Sequence, residues 1–523
     1  MPRLAAPYAP RRPQETSLFQ LVQAHLADFL AHAREAYEAP LPRYVIQEFH
    51  KYLACGDFAQ GFVHTRCDHC GYDLAVAFSC KVRGVCPSCA GRRMAGTAAH
   101  LVDCVLPAVP TRQYVLAMPY ELSGLAATRP AVLTALSRIF WETVQRRYRR
   151  WLRGTGVLLP VETGAITGVH RAGASLNVHV HYHLLALDGV YVEEDGALRF
   201  VAAPPPTEAE LAGMVERIYA RVLAWLRKQG LARSEEEDEA ELDAEPKPLS
   251  PMEDLVRLGM GRGELRTTQE GEGEAETVHD EMPRRPAAQR AVTYRRFNLH
   301  AGVALADPDD VGRERLCRYL TRPAFSVARL RLHRDGHYTY RVKRAGRGRV
   351  KVRVMTPVEC LARLASIVPP PRYPLLRFHG VLAPHHRHRA RVVPRPPVKR
   401  ALCTRKKAAP RVEDSRPSGD GSAVFVPAVP TAALLETGAA ERVSGHVLAF
   451  AHWRRLLDGE LYAPTARLDW ALLLKRTFAT DVRVCPRCGG NVRIRAVVTH
   501  PESVAKLLAA LQRPTARAPP PAI

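Results

Sequence analysis

The stretch 176–191, LNVHVHYHLLALDGVY, constrains this chain more than any other. His179, His181 and His183 alternate with Val180 and Tyr182. Successive side chains of an extended strand point to opposite faces, so the three imidazoles share one face. Val178, Val180, Tyr182 and Leu184 fill the other. Leu184 to Leu187 continue the strand, and Asp188-Gly189 signals a turn. Two neutral imidazoles two residues apart can share one divalent ion and leave coordination positions open, which catalysis needs. A solvated or hydrogen-bonded row of histidines fits the same alternation, and His-x-His pairs also occur in barrel metal hydrolases. The rest of the chain has to decide.

Twelve cysteines narrow the choice, because six of them form three Cys-x-x-Cys pairs. Cys67-x2-Cys70 precedes Cys86-x2-Cys89 by the spacing of a four-cysteine zinc ribbon, and Gly71 suits the tight knuckle around a tetrahedral ion. Leu74, Val76 and Phe78 between the pairs alternate like a strand; Cys80 could replace one of the ligands. A closed site of this kind is structural. The third pair, Cys485 and Cys488, has no second pair after it, so full coordination there would need Cys403, a histidine or another subunit.

Charge points to a polyanionic partner. Lys and Arg number 76 against 52 Asp and Glu, a net +24 with a pI near 9.9. Over 523 residues that surplus favours nucleic acid, although an arginine-rich genome would give a similar bias. No apolar run reaches the roughly 18 to 20 residues of a membrane span, and no signal peptide is evident. The cysteine pairs then favour metal binding in a reducing compartment, and a cytoplasmic location is expected.

Along the chain, Gln113 to Pro119 predicts a strand, Pro130 opens a helix with an apolar stripe, and Gly164 to His170 predicts a second strand before the histidine strand. Thr207-x-x-Glu210 is a capping box. Residues 234–288 are acidic and are expected to lack fixed structure. A strand from Asn298 to Ala304 and a helix from Pro308 to Tyr319 follow, with Pro323 as a breaker. Tyr319 lies between Arg318 and Arg322, a setting for a phosphate beside a phenol, or for a tyrosine packed at a helix end. Tyr338, Tyr340 and Val342, then Val350, Val352 and Val354, predict a hairpin whose second face is basic with Lys343, Lys351 and Arg353. Residues 385–411 read as a basic arm for phosphates.

Five stretches in this order, FSCKVRGVCPSCAGRRM, NVHVHYHLLALDGVY, ERLCRYLTRP, LARLASIVPPPRYPLLRFHGVLAP and DWALLLKRTFATDVRVCPRCGG, resemble rolling-circle insertion-sequence transposases of the HUH (His-hydrophobic-His) class, in the branch associated with ISCR elements. The resemblance implies a nuclease in which a tyrosine attacks a backbone phosphate of single-stranded DNA, at element ends and target, giving a 5′-phosphotyrosine and a free 3′-hydroxyl. It implies Mg²⁺ or Mn²⁺ at the histidine pair and structural Zn²⁺ on Cys67, Cys70, Cys86 and Cys89. The pair falls on His181 and His183, with His179 as an extra ligand or a neighbour to the ligands; His179 and His300 are the candidates for a third protein ligand. The nucleophile falls on Tyr319, with Arg322 beside it and Arg318, Lys343, Lys351 and Arg353 toward DNA. Two-tyrosine members carry a second tyrosine four residues earlier. Here that residue is Arg315, which favours one nucleophile used repeatedly.

The expected fold is α+β. Residues 1–110 form a helix and zinc ribbon, 111–380 an HUH nuclease domain with an antiparallel sheet flanked by helices, 381–443 an arm and linker, and 444–511 a small accessory unit before a Pro-rich tail at 512–523. A transposase-derived zinc-ribbon protein that binds DNA without cutting is the alternative. The sequence leaves the oligomeric state open.

Overall fold

A computed structural model describes residues 12–36, 39–156, 160–232, 250–260, 265–267, 291–306, 309–342, 351–394, 461–478 and 481–511. Two helices, α1 (Ser17–Ala36) and α2 (Arg43–Leu53), lead into a hairpin, β1 (Phe62–Cys67) and β2 (Asp73–Ala77), and then α3 (Pro87–Cys104). Next come β3 (Thr111–Ala117), α4 (Tyr120–Thr128), α5 (Pro130–Gly154), β4 (Val161–Glu162), β5 (Gly164–Ala172), β6 (Val178–Leu187), β7 (Gly189–Glu194), β8 (Ala197–Ala202) and α6 (Glu208–Lys228). The remainder is α7 (Pro251–Met260), β9 (Leu265–Thr267), β10 (Ala291–Tyr294), β11 (Phe297–Leu305), α8 (Asp310–Leu320), β12 (Leu330–Leu332), β13 (Tyr338–Arg341), β14 (Lys351–Met355), α9 (Pro357–Ser366), β15 (Leu376–Gly380), α10 (Arg389–Val392), α11 (Trp470–Phe478), β16 (Val492–Val498) and α12 (Pro501–Leu511).

A six-stranded sheet, in the order β10-β11-β3-β6-β5-β15, carries the site, and each of its neighbouring pairs is antiparallel. Its central strands are buried at nearly every position, as a sheet covered on both faces requires. One face, with Tyr114, Leu116, Val180, Tyr182 and Leu184, packs on Leu133, Leu136 and Phe140 of α5. Truncating one of these side chains, as in Leu184→Ala, removes about 2–5 kcal/mol. The other face presents Ile166, Leu185 and Leu187 to α3 and α8 through Leu101, Val102, Leu316 and Leu320. The sheet therefore separates two cores, and the histidines belong to the second face.

Local chemistry fixes the ends of β6. Asp188 takes a two-pronged contact from Arg112, at 3.0 and 2.7 Å, and a third bond from the Tyr148 hydroxyl at 3.0 Å. A Cβ at Gly189 would stand 2.2 Å from the Val201 carbonyl, so the expected turn needs glycine for close approach. At the other end, the amide of Gly173 donates to the Asn177 carbonyl across the turn that joins β5 to β6. The capping box at Thr207 and Glu210 also forms.

Three expectations change. Residues 251–260, placed within a structureless acidic insertion, form α7, whose Leu255 and Val256 are buried against α4 and α9. Five of its ten residues are apolar at helical spacing, and that burial outweighs the surrounding charge. The hairpin β13–β14 turns the other way: Tyr338, Tyr340, Arg353 and Met355 are buried on one face. Its register pairs Arg353 with Tyr340, and the Ser175 carbonyl accepts the Arg353 Nε–H at 3.0 Å, which makes the buried cation tolerable. Finally, residues 481–511 are no separate appendage: β16 pairs antiparallel with β1 in a sheet ordered β16-β1-β2.

Candidate active site

Antiparallel register assembles a histidine cluster. On β5 and β6, His170 stands directly opposite His181, and Gly168 opposite His183. Ligand atoms of His170, His181 and His183 all lie within 4.8 Å of one another. All three rings are buried. Of the two candidates for a third ligand, neither His179 nor His300 belongs to the cluster. His179 is half-buried, with its ring 5.1 Å from that of His181, while His300 sits on β11 opposite Val115.

The hydrogen bonds prepare these rings to donate to a cation. The His179 carbonyl is 2.9 Å from His181 Nδ1, and the Leu320 carbonyl is 3.0 Å from His170 Nε2. Each carbonyl accepts the ring N–H and so leaves the opposite nitrogen with its lone pair, the arrangement usual for metal-bound imidazoles. Gln113 has its amide nitrogen 3.0 Å from His183 Nδ1 and its Oε1 without a partner among the described residues. A half-turn of that amide gives His183 Nδ1–H an acceptor. The Nε2 atoms of His181 and His183 are buried and likewise lack a hydrogen-bond partner there. Burial, reinforced by the mutual proximity of the rings, holds His181 and His183 well below the ordinary histidine range. His170 is lowered to about 3, first by burial and then by the nearby Arg322. Three neutral donors, two of them with ring nitrogens unmet among the described residues, suit a divalent cation, and three protein ligands leave room for a further group.

Tyr319 closes this face. It lies in the last turn of α8, whose N-cap Asp309 accepts from the Gly312 amide. The Tyr319 ring is 5.1 Å from His183, edge to face, and 6.0 Å from His170. Its hydroxyl is buried without a hydrogen-bond partner among the described residues. Burial raises the phenol to about 12, even though the Arg322 guanidinium carbon sits 4.5 Å from the ring centroid. Glycine permits the approach of α8: a Cβ at Gly168 would meet Leu320 at 2.6 Å.

The expected DNA-binding cations have separate fates. Arg318 is mostly buried and pairs with Glu314 at 3.3 Å, while Arg353 is buried on Ser175. Neither lies free on the surface for a phosphate. Lys343 lies outside the described residues, and of Lys351 only the backbone, in β14, is described. A cavity of about 400 Å³ opens beside His170 between the zinc-ribbon and sheet regions. Arg83, Arg93, Arg171, Arg322 and Arg329 line it. Arg83 and Arg93 come from the segment around Cys86 and Cys89.

The cysteines regroup as well. Cys67 and Cys70 do not meet Cys86 and Cys89: the clusters are Cys55, Cys80, Cys86 and Cys89, and Cys67, Cys70, Cys485 and Cys488. The reason is the hairpin. Cys67 and Cys70 stand at its tip, whereas β2 carries the chain back toward Cys55, roughly 16 Å for a five-residue strand. In the first cluster the sulfurs of Cys55 and Cys89, Cys80 and Cys89, and Cys86 and Cys55 are 3.8, 3.5 and 3.6 Å apart. Tetrahedral zinc with bonds near 2.3 Å sets such edges at about 3.8 Å. Amides of Cys80 and Lys81 donate to Cys55 and Cys89 sulfurs at 3.4 and 3.3 Å. Two residues were thus missed: Cys55, which no local spacing marks, and His170, which straight counting from the 173–177 turn would set opposite Val180 and which the register shift between His170 and Ala172 brings opposite His181.

Among the described residues, no helix is long and apolar enough to cross a membrane. Residues 21–118 match the family model of a transposase zinc-binding domain, and 164–390 match that of a putative transposase. No curated protein and no solved structure matches the chain. The zinc-binding match covers the first cysteine cluster, and the transposase match covers His170, His181, His183 and Tyr319. Both matches are to transposase domains, so the chain is similar to transposases of the IS91 family, DNA-processing enzymes with an N-terminal zinc-binding domain.

Proposed function

We propose that the chain nicks and rejoins single-stranded DNA with Tyr319 as the only nucleophile, through a 5′-phosphotyrosine, as the HUH resemblance implies. The observation that carries this reading is the buried Tyr319 hydroxyl beside the Nε2 atoms of His181 and His183, none of which has a hydrogen-bond partner among the described residues. A structural tyrosine at a helix end would gain by hydrogen-bonding its hydroxyl, because an unmet buried polar group costs about 1–3 kcal/mol. Strained or unmet groups of this kind cluster at reactive sites.

His170, His181 and His183 would hold Mg²⁺ or Mn²⁺, which when bound polarises a phosphate oxygen and stabilises charge gathering there. His170 joins His181 and His183 in this reading, and His179 stands outside the set. The Tyr319 oxygen attacks phosphorus and loses its proton; the bond from phosphorus to the 3′-oxygen breaks, and that oxygen takes up a proton. Attack of a 3′-hydroxyl on the phosphotyrosine restores a phosphodiester and frees Tyr319. One ester replaces another, so no ATP is consumed. Arg322 contributes positive charge at the phenol and at the phosphate. The arginine-lined cavity beside His170 receives the DNA backbone. Arg315, one helical turn before Tyr319, is exposed and supplies no second phenol.

The test uses the full chain, Mn²⁺ or Mg²⁺, and end-labelled single-stranded oligonucleotides carrying the element's own ends. A denaturant-resistant adduct with wild type, absent in Tyr319→Phe and His183→Ala, is the expected result. An adduct that survives Tyr319→Phe moves the nucleophile elsewhere. Tight binding without any adduct on authentic ends points instead to a DNA-binding protein that no longer cuts.

A further inference from the structure

We propose that Cys67, Cys70, Cys485 and Cys488 bind one Zn²⁺ ion, a second metal site that clasps the C-terminal segment onto the N-terminal ribbon. The matched zinc-binding segment ends at residue 118, so half of this site lies far outside it. The four sulfurs converge: Cys67 is 3.6 Å from Cys488, and Cys70 is 3.6 Å from Cys485. Those separations fit the edges of a zinc tetrathiolate, about 3.8 Å, and are far beyond the roughly 2.05 Å of a disulfide.

The backbone supports the same assignment independently. Cys67-x2-Cys70-Gly71 and Cys485-x2-Cys488-Gly489 are two copies of one knuckle. In the first, the Cys67 amide donates to the Tyr72 carbonyl at 2.8 Å and the Gly71 amide to the Cys67 carbonyl at 3.1 Å. In the second, Cys485 donates to Gly490 at 2.8 Å and Gly489 to Cys485 at 3.0 Å, in the same offsets. Gly71 and Gly489 both take positive φ, +70° and +73°, which a side chain would strain. Amides of Arg487 and Gly490 point at the Cys485 and Cys488 sulfurs, both at 3.4 Å, as donors to thiolates do. The two knuckles are packed face to face: a Cβ at Gly490 would stand 2.8 Å from His69 Cβ and 3.2 Å from the Cys67 sulfur.

Packing explains why a metal is needed there. The fully buried apolar contact between residues 481–511 and the ribbon is Phe62, Val498 and Val504, with Phe58, Ala75, Leu507, Leu508 and Leu511 only partly buried around it, while Ile494 and Val497 of β16 stay exposed. So small a core does not hold a unit by itself, and small units of this kind are commonly stapled by metal. The ion pairs of Asp68 with Arg493 and Arg495, at 2.7 and 3.2 Å, are exposed on the arginine side and add little.

The experiment counts zinc by elemental analysis and native mass spectrometry on the reduced full chain, in a His170→Ala/His181→Ala/His183→Ala background that removes imidazole ligation. Two zinc ions per chain are expected, one for each cysteine cluster, falling to one in Cys485→Ser/Cys488→Ser. Cobalt substitution of the same proteins is expected to halve the thiolate charge-transfer absorbance. If the serine variant does not fold, alkylation of the unaltered chain decides. Cys67, Cys70, Cys485 and Cys488 resist iodoacetamide together and become reactive together on chelation. A single zinc in the unaltered cysteine set, separate reactivity of the two pairs, or a mass lower by two hydrogens from a disulfide would each overturn the site.

Discussion

The two kinds of ligand cluster in this chain differ in what they leave undone. Each cysteine cluster offers four sulfurs at tetrahedral edge distances, with amides turned toward them, a set that would fill all four positions of a zinc ion. The histidine cluster offers three donors, two of them with unmet nitrogens, and faces a phenol whose hydroxyl also has no partner among the described residues. Closed geometry serves structure, and open geometry serves chemistry. The contrast extends to chain distance: two strands of one hairpin bring the histidines together, whereas the clasp joins cysteines more than four hundred residues apart.

The largest expected effect probes the open side. Tyr319→Phe should lower nicking by at least about 10³-fold, because no other group replaces a covalent nucleophile. Its melting temperature should equal or exceed that of wild type, since a buried hydroxyl without a partner leaves nothing unsatisfied when removed. A marked drop in melting temperature would return Tyr319 to the structural class.

Next comes the joint between the C-terminal segment and the helix of Tyr319. Arg476 of α11 is fully buried between Asp103 of α3, at 2.6 Å, and Glu314 of α8, at 2.9 Å. Arg476→Met should cost about 3–5 kcal/mol in denaturant unfolding, because it removes the buried cation shared by Asp103 and Glu314, of which Glu314 keeps Arg318. A cost near zero would mean that α11 does not dock as described.

A smaller effect sharpens the metal side. Gln113→Leu removes the partner of His183 Nδ1 and should weaken Mn²⁺ binding about 10–100-fold by calorimetry, with zinc in the cysteine clusters unchanged. Loss of cysteine-bound zinc instead would show that the two centres are not independent.

A separate test of the buried rings is in pH. His170, His181 and His183 have folded pKa values below the unfolded histidine value, so the unfolded chain binds protons first as pH falls. Their contribution to stability is therefore full above about 6.5 and is lost below it, by about 1.4 kcal/mol per pH unit per ring. Chemical denaturation of metal-free protein between pH 7 and 5 reads this slope; stability that rises on acidification would contradict neutral buried rings.

Much of this arrangement was legible in the sequence, and the rest failed for identifiable reasons. Alternation along 178–187 placed His181 and His183 on one face, since strand parity is local. The Thr207 capping box and the helix opened by Pro130 also follow from local periodicity and breakers. His170 required a register set by the turn at 173–177 together with the shift between His170 and Ala172, which no pattern in the sequence marks. The cysteine grouping required knowing that β1 accepts β16 as a neighbour, a contact that no spacing encodes. Arg353 misled because its alternation with Val352 and Val354 reads as an exposed basic face until Ser175 is found to receive it.

The most direct test of the central claim is mapping the covalent adduct. After reaction with an oligonucleotide carrying the element's end and nuclease trimming, trypsin cleaves after Arg318 but not between Arg322 and Pro323, releasing residues 319–329. Mass spectrometry should find a nucleotide on that peptide, fragmenting to Tyr319, joined through the 5′-phosphate. A nucleotide on any other tyrosine, or attachment through a 3′-phosphate, would contradict the account.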